Sequence, residues 1–379
     1  MAHYLRGRLV RAAAVLVVGL LSLGATTAPA TANDTLHLLR PTGSHAVGTT
    51  SIYLNDVSRP DPWVPGKSRE LMVTVWYPTR SPGGKKAQYL TPEESRLILA
   101  HSDEAASLPQ DILSTVRTNA YVDAKPAGRA HSLPLVVLSP GYTQPRSSLS
   151  GLAEDLASHG YVVVAIDHTY ETYAVTFPDG RIAPCAACAV DDDPAFFPKL
   201  NRSRAADVSF VLDQLTGPRP KWRGSALIDA SRIGMSGHSA GGASAIVAML
   251  NDPRIDAGID MDGTTYIPAS GLSRPFMFIG APHHAPGGQD ASWDRDWNLM
   301  TGWKRWLVVA GTQHASFNDL AIIADQLGID FGATTTGTRS MVITRRYNRA
   351  MFDLHLRHQP QPLLRGPSTR YPEVAIAAQ

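Results

Sequence analysis

The pentapeptide Gly-His-Ser-Ala-Gly at residues 237–241 is the feature that most constrains the fold. A short apolar run, residues 232–236, precedes it, and small and apolar residues follow it from 242 to 250. The pattern G-x-S-x-G between a strand and a helix is typical of a nucleophile elbow, a cramped turn that leaves no room for side chains at its glycines. The pattern therefore predicts that Ser239 is a nucleophile, held at a sheet edge beside the positive end of a helix.

Apolar runs rich in β-branched residues alternate with helix-like segments along most of the chain. The predicted strands are residues 71–77, 135–139, 162–167, 233–236, 257–261, 276–280 and 306–310. The predicted helices are residues 148–159, 197–216, 241–250, 317–327 and 347–357. This alternation predicts an α/β fold, with a mainly parallel central sheet and helices on both faces. Because crossovers are right-handed, the loops after the strands share one edge, where ligands bind.

A nucleophilic serine needs a histidine that accepts its proton and a carboxylate that orients the histidine. With a strand–elbow–helix context, the acid follows the serine along the chain and the histidine comes last. His314 follows the strand 306–310 through a short turn, so we predict that His314 is the base. His283 and His284 follow the preceding strand and are the competitors.

The carboxylate has two main candidates. Asp262 directly follows the strand 257–261, next to the elbow strand, and we predict that it is the acid. The commoner arrangement puts the acid one strand later, where the first acid is Asp290, the second choice. Asp260 points to the same side of its strand as Asp262, but it lies deeper in the sheet, where an unpaired charge is costly.

Ester or amide hydrolysis also needs N–H donors for the oxyanion that forms on the acyl carbon. One predicted donor is the backbone N–H of Ala240, the residue after the nucleophile. The other is the backbone N–H of Tyr142, in the loop after the strand 135–139, because Pro140 has no N–H and Gly141 permits a sharp turn. The ring of Tyr142 could then form a wall of the acyl pocket.

Taken together, these residues resemble a known family. The chain is similar to the plasma and type II intracellular platelet-activating-factor acetylhydrolases and to related secreted actinobacterial lipases and esterases. The resemblance spans roughly residues 40–320 and is strongest over residues 233–262. It implies an α/β-hydrolase fold and a serine carboxylic-ester hydrolase with Ser239 and His314 in the family's roles. It also implies an acid on the strand after the elbow strand, which matches Asp262. The sequence departs from the family at Pro140, where a histidine is usual, and at Tyr142.

Several other functions share this pattern. Cutinase-like polyester hydrolases have the same elbow and a tyrosine in the oxyanion loop, but their acid follows the later strand, where this chain has His283. A serine peptidase or amidase, an acyltransferase and an inactive binding module are alternatives of other classes. The complete set of Ser239, Asp262 and His314 argues against the inactive module. The predicted substrate is a small-molecule or lipid ester, with no metal and no cofactor.

The N-terminus predicts export. Arg6, Arg8 and Arg11 precede the apolar run 12–23, and Ala-Thr-Ala at residues 30–32 fits a cleavage site. We therefore predict a signal peptide at residues 1–32, a single domain at 33–379 and a secreted protein. A formal net charge of +2 argues against a nucleic-acid partner, and the longest apolar runs predict no transmembrane segment. Transient contact with a lipid interface stays open, and the oligomeric state is not readable.

Cys185 and Cys188 are the two cysteines of the chain. In an exported protein their spacing predicts a local disulfide, whereas no second ligand pair supports zinc. The acids at residues 191–193 form either a solvated loop or a calcium site. Four tryptophans follow the strand 276–280, and they either line an acyl or lipid site or, for at least two of them, belong to the core. They are Trp293, Trp297, Trp303 and Trp306.

Overall fold

The computed structural model describes residues 35–102 and 105–378. Its central feature is an eleven-stranded sheet. The predicted signal peptide lies outside the described residues. The strands are β1 Ala46–Pro60, β2 Ser68–Thr79, β3 Lys86–Gln88, β4 Arg117–Val122, β5 Leu133–Ser139, β6 Val162–His168, β7 Val175–Thr176, β8 Ile182–Ala183, β9 Ile228–His238, β10 Ile255–Met261, β11 Phe276–Gly280, β12 Lys304–Val309 and β13 Val374–Ala378. The helices are α1 Pro92–Leu99, α2 Ser150–Ser158, α3 Phe196–Thr216, α4 Ala240–Asn251, α5 Ser292–Leu299, α6 Leu320–Leu327 and α7 Gly337–Arg357.

The strand order confirms a mainly parallel sheet. From one edge to the other it is β13-β12-β11-β10-β9-β5-β6-β2-β1-β4-β3, with β7 and β8 paired separately. The neighbours from β12 to β6 are all parallel, while β13 is antiparallel to β12 and β2 is antiparallel to both β6 and β1. The carboxyl ends of the six parallel strands therefore meet at one edge of the sheet, where the elbow also lies.

Side chains of the central strands alternate between two apolar layers. On β5, Leu135 and Val137 pack on one face of the sheet, and Val136 and Leu138 pack on the other. The first layer is covered by α3 and α4, and the second by α2 and α7. Strands buried on both faces in this way are uniformly apolar, which explains the continuous apolar runs in the sequence. The predicted α/β-hydrolase fold is confirmed.

Differences between prediction and structure concern the ends of elements and the edges of the sheet. Strand β9 runs on to His238, directly before the nucleophile. Helix α7 begins at Gly337 instead of Tyr347, and the hydroxyl of its N-cap residue Thr336 accepts a hydrogen bond from the N–H of Arg339. The sequence did not predict the long strand β1 near one edge of the sheet, the last strand β13 at the other edge, or helices α1 and α5.

The cysteines and tryptophans have structural positions in the fold. Cys185 and Cys188 form the predicted disulfide. Trp293 and Trp306 are buried in the first apolar layer. Trp297 is partly buried against the same layer, and Trp303 is partly buried against the opposite layer. The core interpretation of the tryptophans is therefore confirmed. No helix in the described ranges is long and apolar enough to cross a membrane.

A buried group of charges joins α3 to the antiparallel side of the sheet. Arg69 of β2 is fully buried and donates to both oxygens of Asp207 on α3, at 3.1 and 2.7 Å. Its other nitrogen donates to Asp61 at 2.9 Å, and Glu171 lies within 3.3 Å. Burial acts to raise the pKa of Asp207. The charge of Arg69 and the hydrogen bonds that Asp207 accepts from His168 and Arg69 outweigh burial and hold that pKa far below its usual range. Among the described residues Arg69 is the only cation paired with Asp61, while it shares Asp207 with Arg59 and Glu171 with Arg204.

We expect Arg69→Met to lower the free energy of unfolding by about 3–5 kcal/mol, because it leaves the buried Asp61 without a cation and takes one of two arginines from Asp207 and from Glu171. The matched control is Arg181→Met, which breaks a pair with Glu70 in which the arginine is 37% exposed. Its cost should be below about 1 kcal/mol. Urea unfolding of both variants at pH 7 measures the difference. Equal losses would show that the buried group contributes no more than a surface pair.

Candidate active site

Ser239 lies in a strained turn between β9 and α4. Its φ of 55° and ψ of −125° are outside the usual regions for a residue with a side chain. A Cβ atom on Gly237 would lie 2.2 Å from the carbonyl carbon of Gly241, and one on Gly241 would lie 2.0 Å from the carbonyl oxygen of Ser139. The glycines are therefore required by direct backbone contacts, as the elbow pattern predicts.

Asp262 follows β10 directly and is also held at a positive φ, 60°. Its carboxylate is buried, and one oxygen accepts a hydrogen bond from Nδ1 of His314 at 2.6 Å. The other oxygen accepts the backbone N–H of Ala281 at 2.6 Å. Burial acts to raise the pKa of Asp262, but the hydrogen bond and charge of His314 outweigh it and lower the pKa below its usual value. The carboxylate is thus kept ionised beside the imidazole.

Hydrogen bonds to backbone carbonyls hold the segment of Ser239 close to Asp262 and His314. The N–H of Ser239 donates to the carbonyl of Met261 at 2.9 Å, one residue before Asp262. The neighbouring His238 donates from Nε2 to the carbonyl of His314 at 2.8 Å, with their ring centres 4.7 Å apart. Within the described chain the Ser239 hydroxyl bonds to no other side chain. The His314 side chain is 53% exposed, so a substrate can reach both groups.

The other candidate acids do not contact His314 among the described residues. Asp260 is fully buried, and it accepts only the N–H of Gly263, at 2.9 Å. Burial raises the pKa of Asp260 well above its usual value, which favours the neutral acid. Asp290 accepts hydrogen bonds from the hydroxyl of Thr264 and the N–H of Ser292. The geometry therefore agrees with the choice of Asp262.

The two competing histidines surround the acid instead of the serine. Nε2 of His283 lies 3.7 Å from one oxygen of Asp262, and Nε2 of His284 lies 3.9 Å from the other. His284 is buried, and burial lowers its pKa. Sequence reasoning placed this pair at the correct edge of the sheet but did not foresee its contact with Asp262.

The loop after β5 approaches the nucleophile closely. A Cβ atom on Gly141 would lie 3.4 Å from the Cβ of Ser239. In the described part of the chain, the backbone N–H groups of Tyr142 and Ala240 donate to no protein acceptor. Both donors proposed from the sequence therefore stand free beside Ser239, as an oxyanion site requires.

The side chain of Arg204, on α3, holds the loop after β5 in place, and we did not predict this role from the sequence. Its guanidinium donates to the carbonyl of Pro140 at 2.5 Å and to Glu171 at 2.7 Å. His168 meets the hydroxyl of Ser139 at 2.9 Å. The signal was present in the sequence, because Arg204 interrupts the apolar face of the predicted helix 197–216. A charge at such a position requires a buried partner.

Aromatic rings line the site on the α3 side. We call Tyr142, Phe197 and Tyr266 the aromatic wall. Tyr142 meets the ring of Phe197 edge-on at 6.1 Å, and Phe197 stacks on Tyr266 at 4.6 Å with 6° between the planes. Tyr142 also packs in the apolar cluster that contains Ala240, the residue after the nucleophile. The hydroxyl of Tyr142 donates to Asp191 at 3.1 Å, in the loop that carries the disulfide.

Comparison with known proteins identifies the family of the chain. Residues 124–319, more than half of the chain, match the family described as PET hydrolase-like, and residues 30–180 match platelet-activating factor acetylhydrolase, isoform II. The chain belongs to these esterases of the α/β-hydrolase fold. As an esterase of this group it is a serine ester hydrolase, which confirms the family resemblance and the class of reaction expected from the sequence.

Three relatives show the range of the group. A protein of Arthroderma benhamiae named "Probable 1-alkyl-2-acetylglycerophosphocholine esterase" is 31% identical over 66% of this chain and 67% of its own length. The bis(hydroxyethyl) terephthalate hydrolase of Streptomyces coelicolor is 29% identical over 39% of this chain and 44% of its own length. The solved structure of a ferulic acid esterase from Streptomyces cinnamoneus is 41% identical, with a TM-score of 0.81, and the match covers 91% of this chain and 100% of that one.

His238 should make the esterase sensitive to acid. Burial, together with the nearby His314, lowers the pKa of His238 to about 3, against about 6.5 in an unfolded chain. Between these values the unfolded chain binds a proton that the folded chain does not, so stability is lost as the pH falls.

We expect this group to contribute a loss of about 1.4 kcal/mol per pH unit between pH 6 and 4. In His238→Gln this part of the loss should be absent, whereas the exposed control His45→Gln should follow the wild type. Urea unfolding at several pH values measures it. Parallel curves for wild type and His238→Gln would contradict the prediction.

Proposed function

We propose that Ser239, His314 and Asp262 form the catalytic triad of this ester hydrolase. The observation that carries the proposal is the 2.6 Å hydrogen bond between His314 and the buried, ionised Asp262, beside a serine on a strained turn. Asp262 fixes the tautomer of His314 with Nδ1 protonated, which leaves Nε2 as the base. The half-exposed His314 ring closes on the Ser239 hydroxyl when a substrate is bound, since such contacts tighten in the reacting complex.

The reaction then proceeds in two halves. His314 takes the proton of Ser239 as the hydroxyl oxygen attacks the ester carbonyl. The N–H groups of Ala240 and Tyr142 bind the oxyanion, and His314 returns the proton to the departing alcohol. Water, activated by the same histidine, releases the acid from Ser239. Asp262 stabilises the imidazolium in both halves.

We expect Asp262→Asn to lower kcat by about 10⁴, because the amide favours the wrong tautomer of His314. Asp290→Asn removes the second candidate acid, and its effect should be smaller by at least two orders of magnitude. Both variants are compared with wild type on a short p-nitrophenyl ester, with Ser239→Ala as the inactive reference. If Asp290→Asn proved the more damaging change, the assignment of the acid would be wrong.

We further propose that the acyl group is a flat aromatic acid. The aromatic wall stands beside the nucleophile and ends in Tyr266, which is 38% exposed and already stacks face to face on Phe197. A planar ring can extend this stack. Two relatives are named for esters of aromatic acids, ferulic acid and terephthalic acid, and one of them matches nearly the whole chain. The relative named for an acetyl phospholipid aligns at a lower identity and over less of this chain than the ferulic acid esterase does, so we place that substrate second.

Tyr266→Ala should lower kcat/KM on methyl ferulate by about three- to tenfold, which corresponds to one lost aromatic contact. The value on p-nitrophenyl acetate, whose acyl group has no ring, should change little. Tyr53→Ala is the matched control, because Tyr53 is similarly exposed, at 39%, on β1. Equal losses on both esters, or a wild-type preference for the acetyl ester of a phospholipid over methyl ferulate, would contradict the proposed substrate.

We also propose that the protein works outside the cell. The basic and apolar residues at the N-terminus are those of a signal peptide, and a disulfide is typical of oxidising compartments. Under this proposal the mature chain starts after Ala32. N-terminal sequencing of the protein from culture medium would reveal the start.

A further inference from the structure

Asp262, His283 and His284 form a cluster that the proposed reaction uses only through the acid. The ligand atoms these residues offer all lie within 4.8 Å of one another. Two imidazole nitrogens and a carboxylate oxygen are the donor set of many zinc sites. In a tetrahedral zinc site neighbouring ligand atoms lie about 3.3 Å apart. Nε2 of His283 lies 3.7 Å from one oxygen of Asp262, and Nε2 of His284 lies 3.9 Å from the other oxygen, so small side-chain movements would bring the donors to that spacing.

His284 is held in the orientation that a ligand needs. Its ring stacks on the buried Trp293 at 4.1 Å, and its carbonyl accepts a hydrogen bond from Trp306 at 2.8 Å. Nε2 faces Asp262, while Nδ1 is buried with no hydrogen-bond partner in the described chain and lies 3.4 Å from a carboxylate oxygen of Asp290. A carboxylate behind the second ring nitrogen is the usual support of a metal-binding histidine. Asp290 is itself fixed by Thr264 and Ser292.

The cluster is also accessible. The His283 side chain is 34% exposed. It lines a cavity of about 470 Å³ together with Pro282, Gly288, Gln289 and Thr312. This space admits a hydrated ion and leaves room for a water molecule as the fourth ligand. A hard cation such as Mg²⁺ or Ca²⁺ is disfavoured, because it prefers oxygen ligands and this set supplies two nitrogens.

We propose that Asp262, His283 and His284 bind one Zn²⁺ ion per chain, and that the bound ion inhibits the esterase reversibly. The inhibition follows from charge. Catalysis needs the negative charge of Asp262 to stabilise the imidazolium of His314. A divalent cation on the same carboxylate cancels that charge and repels the proton that His314 must accept. The inhibitory part rests on the proposed role of Asp262, whereas the binding part does not.

Direct binding tests the site without reference to activity. Titration calorimetry with Zn²⁺ should give one site per chain, and Co²⁺ should produce the visible absorption of a low-coordinate nitrogen-ligated ion. His283→Ala removes a half-exposed ligand and should weaken Zn²⁺ binding at least tenfold. Asp290→Asn, which removes the support of His284, should weaken it by about 10- to 100-fold. His45→Ala removes an exposed histidine outside the cluster and should bind as the wild type does.

The activity measurement is made on the same samples, each normalised to its own metal-free rate. Wild-type hydrolysis of p-nitrophenyl acetate should fall in proportion to bound Zn²⁺ and recover with EDTA, while equal Mg²⁺ has no effect. Thermal unfolding without metal shows that His283→Ala is folded. Unchanged Zn²⁺ affinity in folded His283→Ala, or no stoichiometric binding to wild type, would overturn the site. Binding at one site with full activity would overturn the inhibition. Failure of the triad itself would appear separately, as an active Asp262→Asn variant.

Discussion

The approach of backbone to backbone around Ser239 is the constraint on which the active site depends. Gly237 and Gly241 touch across the elbow, and a Cβ atom on Gly263 would lie 2.2 Å from the carbonyl oxygen of Ser239. Gly141 brings the oxyanion loop into the same contact. These segments follow or belong to β5, β9 and β10. The pairing of these three parallel strands therefore brings together the proposed nucleophile, the proposed oxyanion donors and the proposed acid. A methyl group at Gly237, Gly241 or Gly263 would clash with backbone atoms and push the proposed catalytic groups apart.

Asp260 and Asp262 show how position along one strand decides the state of a carboxyl group. Asp260 lies within β10 and Asp262 lies directly after it, two residues further along the chain. Asp260 is enclosed with one N–H donor and no cation, so burial favours its neutral form. Asp262 reaches the end of the strand, where His314 and the N–H of Ala281 stabilise the anion. Two residues of the same type, two positions apart in the sequence, are therefore held in different states: the neutral acid is favoured for Asp260 and the charged carboxylate for Asp262.

The elbow, the parallel centre of the sheet and the triad candidates were all predictable from the sequence, because each depends on local pattern. Apolar runs reveal strands buried on both faces, and Gly-x-Ser-x-Gly reveals the turn. The roles of the triad residues stay predictions. Strand β1 was not predicted because its exposed side is polar, and helix α5 was not predicted because it is short and mostly polar. Arg204 and the surroundings of His284 depend on contacts between residues far apart in sequence, which no local pattern encodes.

The disulfide between Cys185 and Cys188 has a consequence for when the enzyme acquires its specificity. It closes the short loop that leads to Asp191, and Asp191 holds the hydroxyl of Tyr142. The fold itself rests on the two apolar layers, which this loop does not join. A chain with reduced cysteines would thus keep its sheet and its nucleophile while one ring of the aromatic wall lost its anchor. If the aromatic wall selects the acyl group and the protein is exported, as proposed, this selection would be complete only after the disulfide forms in an oxidising environment.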